Sequence, residues 1–180
     1  MLLVVDNGSV YTKHLLDFLH KREIKFVFSP FDKISLLDLD KYSSIILSGR
    51  KKNDPTMNVI NSKIINHAIL KKKSLLGICY GAEILALTLG GTLKKMDTAH
   101  KGIKEIKIVK TNSLCSGRMK VFESHSYLIS RIDKLFNKIA ESDVCKFEII
   151  QYRDSYIFGT QFHPEMTEDG KILLEKFVLI

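Results

Sequence analysis

The first half of the chain alternates short apolar runs with segments of helical periodicity. The apolar runs predict buried strands at LLVVD (2–6), IKFVF (24–28), SSIILS (43–48) and SLLGI (74–78). Apolar residues at helical spacing predict helices over 10–21, 59–70 and 82–90, the last of them ended by Gly90-Gly91. Such alternation is typical of strands that pair in parallel, with helices connecting them.

The second half has a different pattern. Polar and apolar residues alternate in IKEIKIV (103–109) and RMKVFE (118–123), which predicts half-exposed strands, and FEIIQYR (147–153) and YIFGTQF (156–162) predict a hairpin around Asp154-Ser155. A helix is predicted over 171–180. We therefore predict a single domain over residues 1–180, an α/β sandwich with an open, largely parallel mixed sheet flanked by helices. The ligand site of such a sheet lies outside the carboxyl ends of its strands.

Composition narrows the class of protein. The 180 residues are 45% hydrophobic, and residues 1–9 lack the basic and long apolar regions of a signal peptide, so we expect a cytoplasmic protein that does not enter a membrane. The three cysteines are odd in number and form no CxxC pair, which argues against a disulfide framework and a zinc site. The net charge is +8, but the basic residues are scattered in short runs, and we expect no nucleic-acid binding.

One cysteine stands in an unusual setting. In GICYG (77–81), Cys79 lies between two glycines, directly after a predicted strand and directly before a predicted helix. This is the context of a nucleophile on a tight turn, where the start of the helix favours a thiolate and its free N–H groups can bind an oxyanion. The alternative interpretation is a small buried cysteine at a strand end.

A second segment supplies the groups that a cysteine nucleophile needs. GTQFHPE (159–165) ends the last predicted strand and carries His163 and Glu165. Cysteine chemistry requires a base that takes the thiol proton and a third group that fixes the tautomer of that base. Two residues apart in extended chain, His163 and Glu165 project to the same side and can fill these two roles.

With both segments present, the sequence resembles the class I, or triad, glutamine amidotransferases, whose fold is a flavodoxin-like sandwich. The resemblance rests on GICYG and TQFHPE, with weaker support from VVDNGS, from ILSG (46–49) and from ESHS (123–126). It implies that Cys79 attacks the side-chain amide of glutamine, that His163 transfers the proton and that Glu165 orients His163. It further implies an oxyanion hole made by the backbone N–H groups of Tyr80 and Arg50, and no metal or cofactor. The substrate-binding residues that it implies are Gly49, Glu83, Ser124 and His125.

The chain departs from the family pattern at two positions. The family segment SGGP is replaced by Ser48-Gly49-Arg50-Lys51, and a positive φ at Arg50 would cost a non-glycine residue about 1 kcal/mol or more. The family's Gly-His-Gln after the cysteine is replaced by Gly81-Ala82-Glu83, and an ionised glutamate presents only acceptors.

Within the family, the opening VVDNGSVYTKHL is most similar to the glutaminase subunits of two-subunit GMP synthases. That similarity implies that the partner is a separate ATP-pyrophosphatase synthetase subunit, which uses the ammonia for the conversion of XMP to GMP. An acidic face on that partner would suit the positive charge of this chain and would make association weaken with rising salt. The glutaminase components of anthranilate and aminodeoxychorismate synthases remain open as alternatives. So do a stand-alone γ-glutamyl hydrolase, favoured by Glu83, and a catalytically silent binding subunit.

Overall fold

A computed structural model describes residues 1–179, and within that range the chain forms nine strands and four α-helices. The strands are β1 (Leu2–Asn7), β2 (Phe26–Pro30), β3 (Ser44–Arg50), β4 (Ser74–Ile78), β5 (Thr92–Ile108), β6 (Arg118–Arg131), β7 (Phe136–Glu141), β8 (Ile149–Tyr152) and β9 (Ile157–Thr160). The helices are α1 (Thr12–Lys21), α2 (Pro55–Leu70), α3 (Tyr80–Thr88) and α4 (Glu168–Val178). None of the helices in the described range is long and apolar enough to cross a bilayer.

All nine strands join one mixed sheet in the order β2-β1-β3-β4-β9-β8-β7-β5-β6. The first five strands of that order pair in parallel, and the remaining pairs are antiparallel. The predicted mixed sheet is therefore confirmed. Strand β9 lies beside β4 in parallel register, with Ile78 opposite Thr160, so the segments after these two strands emerge at the same edge of the sheet.

Alternating side chains on the parallel strands form two cores, one on each face of the sheet. Leu2 and Val4 of β1 face one core, which α1 and α4 cover through residues such as Leu15 and Leu173. Leu3 and Val5 face the other core, which α2 and α3 cover. Because both faces of the parallel strands are buried, these strands have continuous apolar sequences rather than alternating ones.

The predicted elements of the first half match the structure closely, and those of the second half match it less well. The predicted strands over 103–109 and 118–123 are only parts of the long antiparallel pair β5 and β6. The first half of β5, TLKKMDTAHKG, is mostly solvent-exposed and therefore carries little apolar signal. Strand β7 has no counterpart among the predicted elements, whereas the hairpin of β8 and β9 is confirmed with shorter strands. Residue 180, the last of the helix predicted over 171–180, lies outside the described residues.

Candidate active site

The turn between β4 and α3 holds Cys79 in a strained backbone conformation. Cys79 has φ 51° and ψ −103°, a left-handed conformation that costs a non-glycine residue about 1–2 kcal/mol. Its backbone N–H donates to the carbonyl of Thr160 at 2.7 Å, which ties the turn to the end of β9. The glycine at 77 is required, because a Cβ there would lie 2.4 Å from the carbonyl carbon of Gly81. The tight strand–turn–helix geometry predicted from GICYG is therefore present.

His163 and Glu165 form a buried hydrogen-bonded pair. Nδ1 of His163 lies 2.8 Å from Oε1 of Glu165, and both side chains are almost fully buried. A carboxylate can only accept, so this contact places the proton of a neutral imidazole on Nδ1. Nε2 is then left as the acceptor, which is the state that a general base requires.

Two residues from the first half of the chain fix the imidazole from other directions. The ring of Tyr11 packs against the ring of His163, with the centroids 4.4 Å apart, and the Tyr11 hydroxyl lies 3.1 Å from Oγ of Ser124. On another side, Gly49 at the end of β3 approaches the ring so closely that a Cβ would lie 2.9 Å from Cε1 of His163. The ring therefore has little freedom to move.

The pairing of β4 with β9 brings the cysteine turn and the histidine segment to one edge of the sheet. A third strand, β6, connects them: the backbone N–H of His163 donates to the carbonyl of Phe122 at 2.8 Å. Two residues further along β6, the carbonyl of Ser124 lies 3.9 Å from Sγ of Cys79 and accepts from the thiol. The backbone of the ESHS segment thus faces the candidate nucleophile.

The thiol of Cys79 is held in its protonated form. Burial raises its pKa well above the ordinary cysteine value, and the negative charges of Glu83 and Glu165 raise it further. The backbone N–H of Tyr80, at the start of α3, and the charge of Arg50 lower the pKa but are outweighed. The start of α3 therefore lowers the pKa of the thiol, as expected, but by less than burial and the two carboxylates raise it. A resting thiol of this kind needs a base to become a nucleophile.

A cleft of about 550 Å³ opens beside Cys79, a volume suited to a small polar substrate. Six residues singled out in the sequence are among those that line it: Arg50, Cys79, Tyr80, Glu83, Ser124 and His125. The other three do not line the cleft: Gly49 contacts the ring of His163, and Glu165 is hydrogen-bonded to His163. All nine sequence-predicted site residues are thus brought together at the carboxyl edge of the parallel strands.

Arg50 occupies the glycine position of the family pattern without the strain considered above. Within the described residues, positive φ at non-glycine positions occurs at Glu23, Lys72, Cys79 and Arg153, and Arg50 is not among them. The side chain of Arg50 reaches into the cleft, where its Nη2 lies 3.8 Å from Oε2 of Glu83.

Glu83 lies in the first turn of α3 and is buried. Burial raises the pKa of its carboxyl group, against the opposing effects of Arg50, of His125 and of a hydrogen bond from Gln161. Nε2 of Gln161 lies 3.4 Å from Oε1 of Glu83, so the carboxyl group has partners on both oxygens.

His125 is fixed by a buried network behind the cleft. Its Nδ1 lies 2.8 Å from the carbonyl of Tyr127, and its Nε2 lies 3.2 Å from Oε2 of Glu123. Burial and the charge of Glu123 raise the pKa of the neighbouring Glu148 to about 9, so Glu148 is protonated at neutral pH. Both ring nitrogens of His125 already have hydrogen-bond partners, so the polar groups that its segment presents to the cleft are mainly those of the backbone.

Several residues of the site have no distinct signal in the sequence. Tyr11 can be placed near the site edge only because it follows the turn after the first strand, and nothing local marks Glu148. Gln161 and Glu123 lie inside the segments TQFHPE and ESHS, which indicate no role for these two side chains. Their positions depend on pairing between distant strands, which a local pattern does not reveal. Within residues 1–179, no group of three or more His, Cys, Asp or Glu side chains is arranged to hold a metal ion.

The close contact between Gly49 and His163 leads to a testable prediction. In Gly49→Ala, the added methyl group must displace the imidazole, and we expect kcat for glutamate release to fall by about 10- to 100-fold. Gly117→Ala is the control for a destabilising Gly→Ala change away from the site: Gly117 has φ 70° with open space around its Cβ position, so the substitution strains the backbone, as Gly49→Ala does not, but causes no steric clash. Equal kcat in the two variants would show that the position of His163 does not limit the reaction.

A mixed α/β sheet with a cysteine on a strained turn is the arrangement expected of a class I glutamine amidotransferase. The family model of class-I glutamine amidotransferases matches residues 3–180, and the chain belongs to this family.

Individual relatives cover the chain almost completely. The chain is 31% identical over 189 residues to the subunit designated A of the glutamine-hydrolysing GMP synthase of Pyrococcus furiosus, an alignment that covers 100% of this chain and 98% of that protein. It is 27% identical over 191 residues to the subunit of the same name from Methanocaldococcus jannaschii, covering 98% and 95% of the two chains. The crystal structure of a candidate for this GMP synthase subunit from Thermoplasma acidophilum superposes with a TM-score of 0.87 at 25% identity, covering 98% of this chain and 91% of that one.

Proposed function

We propose that this chain is the glutaminase subunit of a two-subunit GMP synthase. It hydrolyses glutamine to glutamate and ammonia at Cys79, and the ammonia passes to a separate ATP-pyrophosphatase subunit that converts XMP to GMP. The observation that carries the chemistry is the strained turn that places Cys79 at a cleft of about 550 Å³, with the hydrogen-bonded His163 and Glu165 following β9, the strand that pairs with β4. The full-length similarity to proteins named as this subunit of GMP synthase supports the choice of partner and acceptor.

In the proposed mechanism, His163 takes the proton of the Cys79 thiol as Sγ attacks the amide carbon of glutamine. The tetrahedral oxyanion is bound by the backbone N–H groups of Tyr80 and Arg50. His163 then returns the proton to the amide nitrogen, the carbon–nitrogen bond breaks, and ammonia leaves a γ-glutamyl thioester on Cys79. Glu165 stabilises the imidazolium form during this transfer.

The second half of the proposed mechanism uses the same residues. His163 removes a proton from a water molecule, whose oxygen attacks the thioester carbon. The carbon–sulfur bond breaks, glutamate leaves and the thiol is restored, so that one glutamine and one water yield one glutamate and one ammonia. Gly49, Glu83 and the backbone of Ser124 and His125 are the proposed contacts for the amino-acid end of the substrate, with no metal or cofactor in the scheme.

The decisive experiment combines the purified chain with the XMP-aminating synthetase subunit encoded in the same genome, together with ATP and XMP. We expect glutamine to support GMP formation only when this chain is present, and ammonium chloride to support it without this chain. Glutamate release that responds to a chorismate-aminating synthetase instead would assign the chain to the anthranilate or aminodeoxychorismate pathway. Faster cleavage of a γ-glutamyl peptide than of glutamine would favour the stand-alone hydrolase.

A further inference from the structure

The two positions at which the chain departs from the family pattern are in contact with each other. Arg50 replaces a glycine at the end of β3, Glu83 replaces a glutamine in α3, and Nη2 of Arg50 lies 3.8 Å from Oε2 of Glu83. Both side chains are largely buried, with relative exposures of 19% and 6%. A buried carboxylate and a buried guanidinium each need a partner, so the two substitutions compensate each other.

Arg50 makes two further contacts, one to the first residue of α3 and one to the loop that follows β3. Its guanidinium stacks over the ring of Tyr80 at 4.3 Å from the centroid, and Nη1 donates to Oδ1 of Asn53. The same Asn53 oxygen accepts from Nδ2 of Asn58 at 3.3 Å, and Oδ1 of Asn58 accepts from the Tyr80 hydroxyl at 2.7 Å. Arg50, Asn53, Asn58 and Tyr80 therefore form a closed ring of contacts.

This ring joins three segments of the chain. Arg50 is the last residue of β3, and Asn53 belongs to the connection between β3 and α2. Asn58 lies in the first turn of α2, and Tyr80 directly follows Cys79. The planar guanidinium can stack on an aromatic ring, pair with a carboxylate and donate to an amide oxygen at the same time, which the point charge of a lysine cannot do.

We propose that the Arg50 side chain is a clasp that holds residues 50–54, the end of β3 and the loop that follows it, against the first turn of α3 and so positions their backbone beside Cys79. Arg50 acts as a positioning residue in this role, through Glu83, Tyr80 and Asn53, and does not contact the substrate. The inference rests on the proposed function, because the backbone of residues 50–54 includes the N–H of Arg50, the second donor of the proposed oxyanion hole. It explains how the chain tolerates the loss of the usual glycine.

A positioning role affects turnover more than substrate binding. If Arg50→Ala lets the loop move, the oxyanion donor is misplaced, and kcat should fall by about 10- to 100-fold with a smaller change in KM. Arg50→Lys should lose most of the same activity, since it keeps the charge but not the planar stack. Lys52→Ala removes a positive charge from the same loop at an exposed position outside the cleft lining, and its kcat should remain close to that of the wild type.

The pairing of Arg50 with Glu83 adds a test by double-mutant cycle. Arg50→Ala leaves Glu83 as an unpaired buried carboxylate, and Glu83→Gln removes the need for a partner. We therefore expect the double variant to retain more activity than the product of the two single effects. Strictly multiplicative losses would contradict the coupling of the two positions.

The closing experiment measures hydrogen exchange of peptides covering residues 50–58, alongside kcat and KM in the presence of the synthetase subunit. Faster exchange in Arg50→Ala than in Lys52→Ala, together with the loss in kcat, is the expected result. Unchanged exchange would contradict the clasp and show that Arg50 does not hold this segment. A rise in KM with unchanged kcat would also contradict it and would show that Arg50 binds the substrate. Hydrogen exchange requires no turnover, so it decides the clasp even if glutamine is not the substrate, whereas absent glutamate release in the wild type refutes the proposed function alone.

Discussion

Cys79→Ala should abolish glutamate release from glutamine, lowering kcat by at least about 10⁴-fold. The sulfur is the only protein atom that forms a bond to the substrate carbon in the proposed mechanism, and alanine leaves no substitute nucleophile. The substitution should leave the fold intact, because alanine removes only one buried sulfur atom and tolerates the turn about as well as cysteine does. GMP formation from added ammonium chloride should be unaffected in the mixture with the synthetase subunit.

Cys115→Ala is the matched control for this prediction. Cys115 is also a free, buried cysteine, and burial raises the pKa of its thiol as well. Its sulfur contacts Oδ1 of Asn112, away from the cleft that contains Cys79. Loss of glutaminase activity in Cys115→Ala with full activity in Cys79→Ala would refute the assignment of the nucleophile.

His163→Ala is the second substitution with a large expected effect, at least about 10³-fold in kcat. The reason lies in the environment of the thiol: burial, Glu83 and Glu165 raise the pKa of Cys79 well above the ordinary value, so little thiolate exists at neutral pH without a base. Removal of His163 leaves the thiol without its proposed base, because the carbonyl of Ser124 accepts a hydrogen bond but cannot take the proton. His14→Ala, at an exposed position on α1, is the control and should keep its activity.

The same variant has a predicted pH signature. A raised thiol pKa means that the thiolate fraction grows only as the pH rises above the ordinary cysteine range. Alkylation of Cys79 by a small electrophile should therefore become fast only at strongly alkaline pH in His163→Ala, and at lower pH in the wild type, where His163 accepts the proton. Identical pH profiles for the two proteins would show that His163 does not act on the thiol.

The site can be predicted from the sequence to the extent that its chemistry depends on local segments. The glycines around Cys79 and the spacing of His163 and Glu165 are visible within seven residues of chain, and the apolar pattern indicates the strand-to-helix context of the cysteine and the strand end before the histidine. The parallel strands are equally clear, because burial on both faces makes their sequences continuously apolar.

The remaining features depend on contacts between residues far apart in the chain. The packing of the Tyr11 ring against His163 joins residues 152 positions apart in sequence, and nothing near Tyr11 indicates it. The contact of Arg50 with Glu83 is of the same kind: each residue is visible as a departure from the family pattern, but not as the partner of the other. The exposed half of β5 escapes prediction for a different reason, since most of its own side chains lie in solvent and burial imposes little apolar alternation on them.

The central claim is that Cys79 forms a γ-glutamyl thioester, and trapping that species tests it most directly. The wild-type chain is mixed with the synthetase subunit, ATP, XMP and isotopically labelled glutamine, quenched in acid within the first turnover, digested and mapped by mass spectrometry. We expect a glutamyl group on the peptide that carries Cys79, and no such group after the reaction runs to completion. A glutamyl group on the peptide of Cys115 or Cys145, or glutamate release without any adduct at Cys79, would contradict this claim.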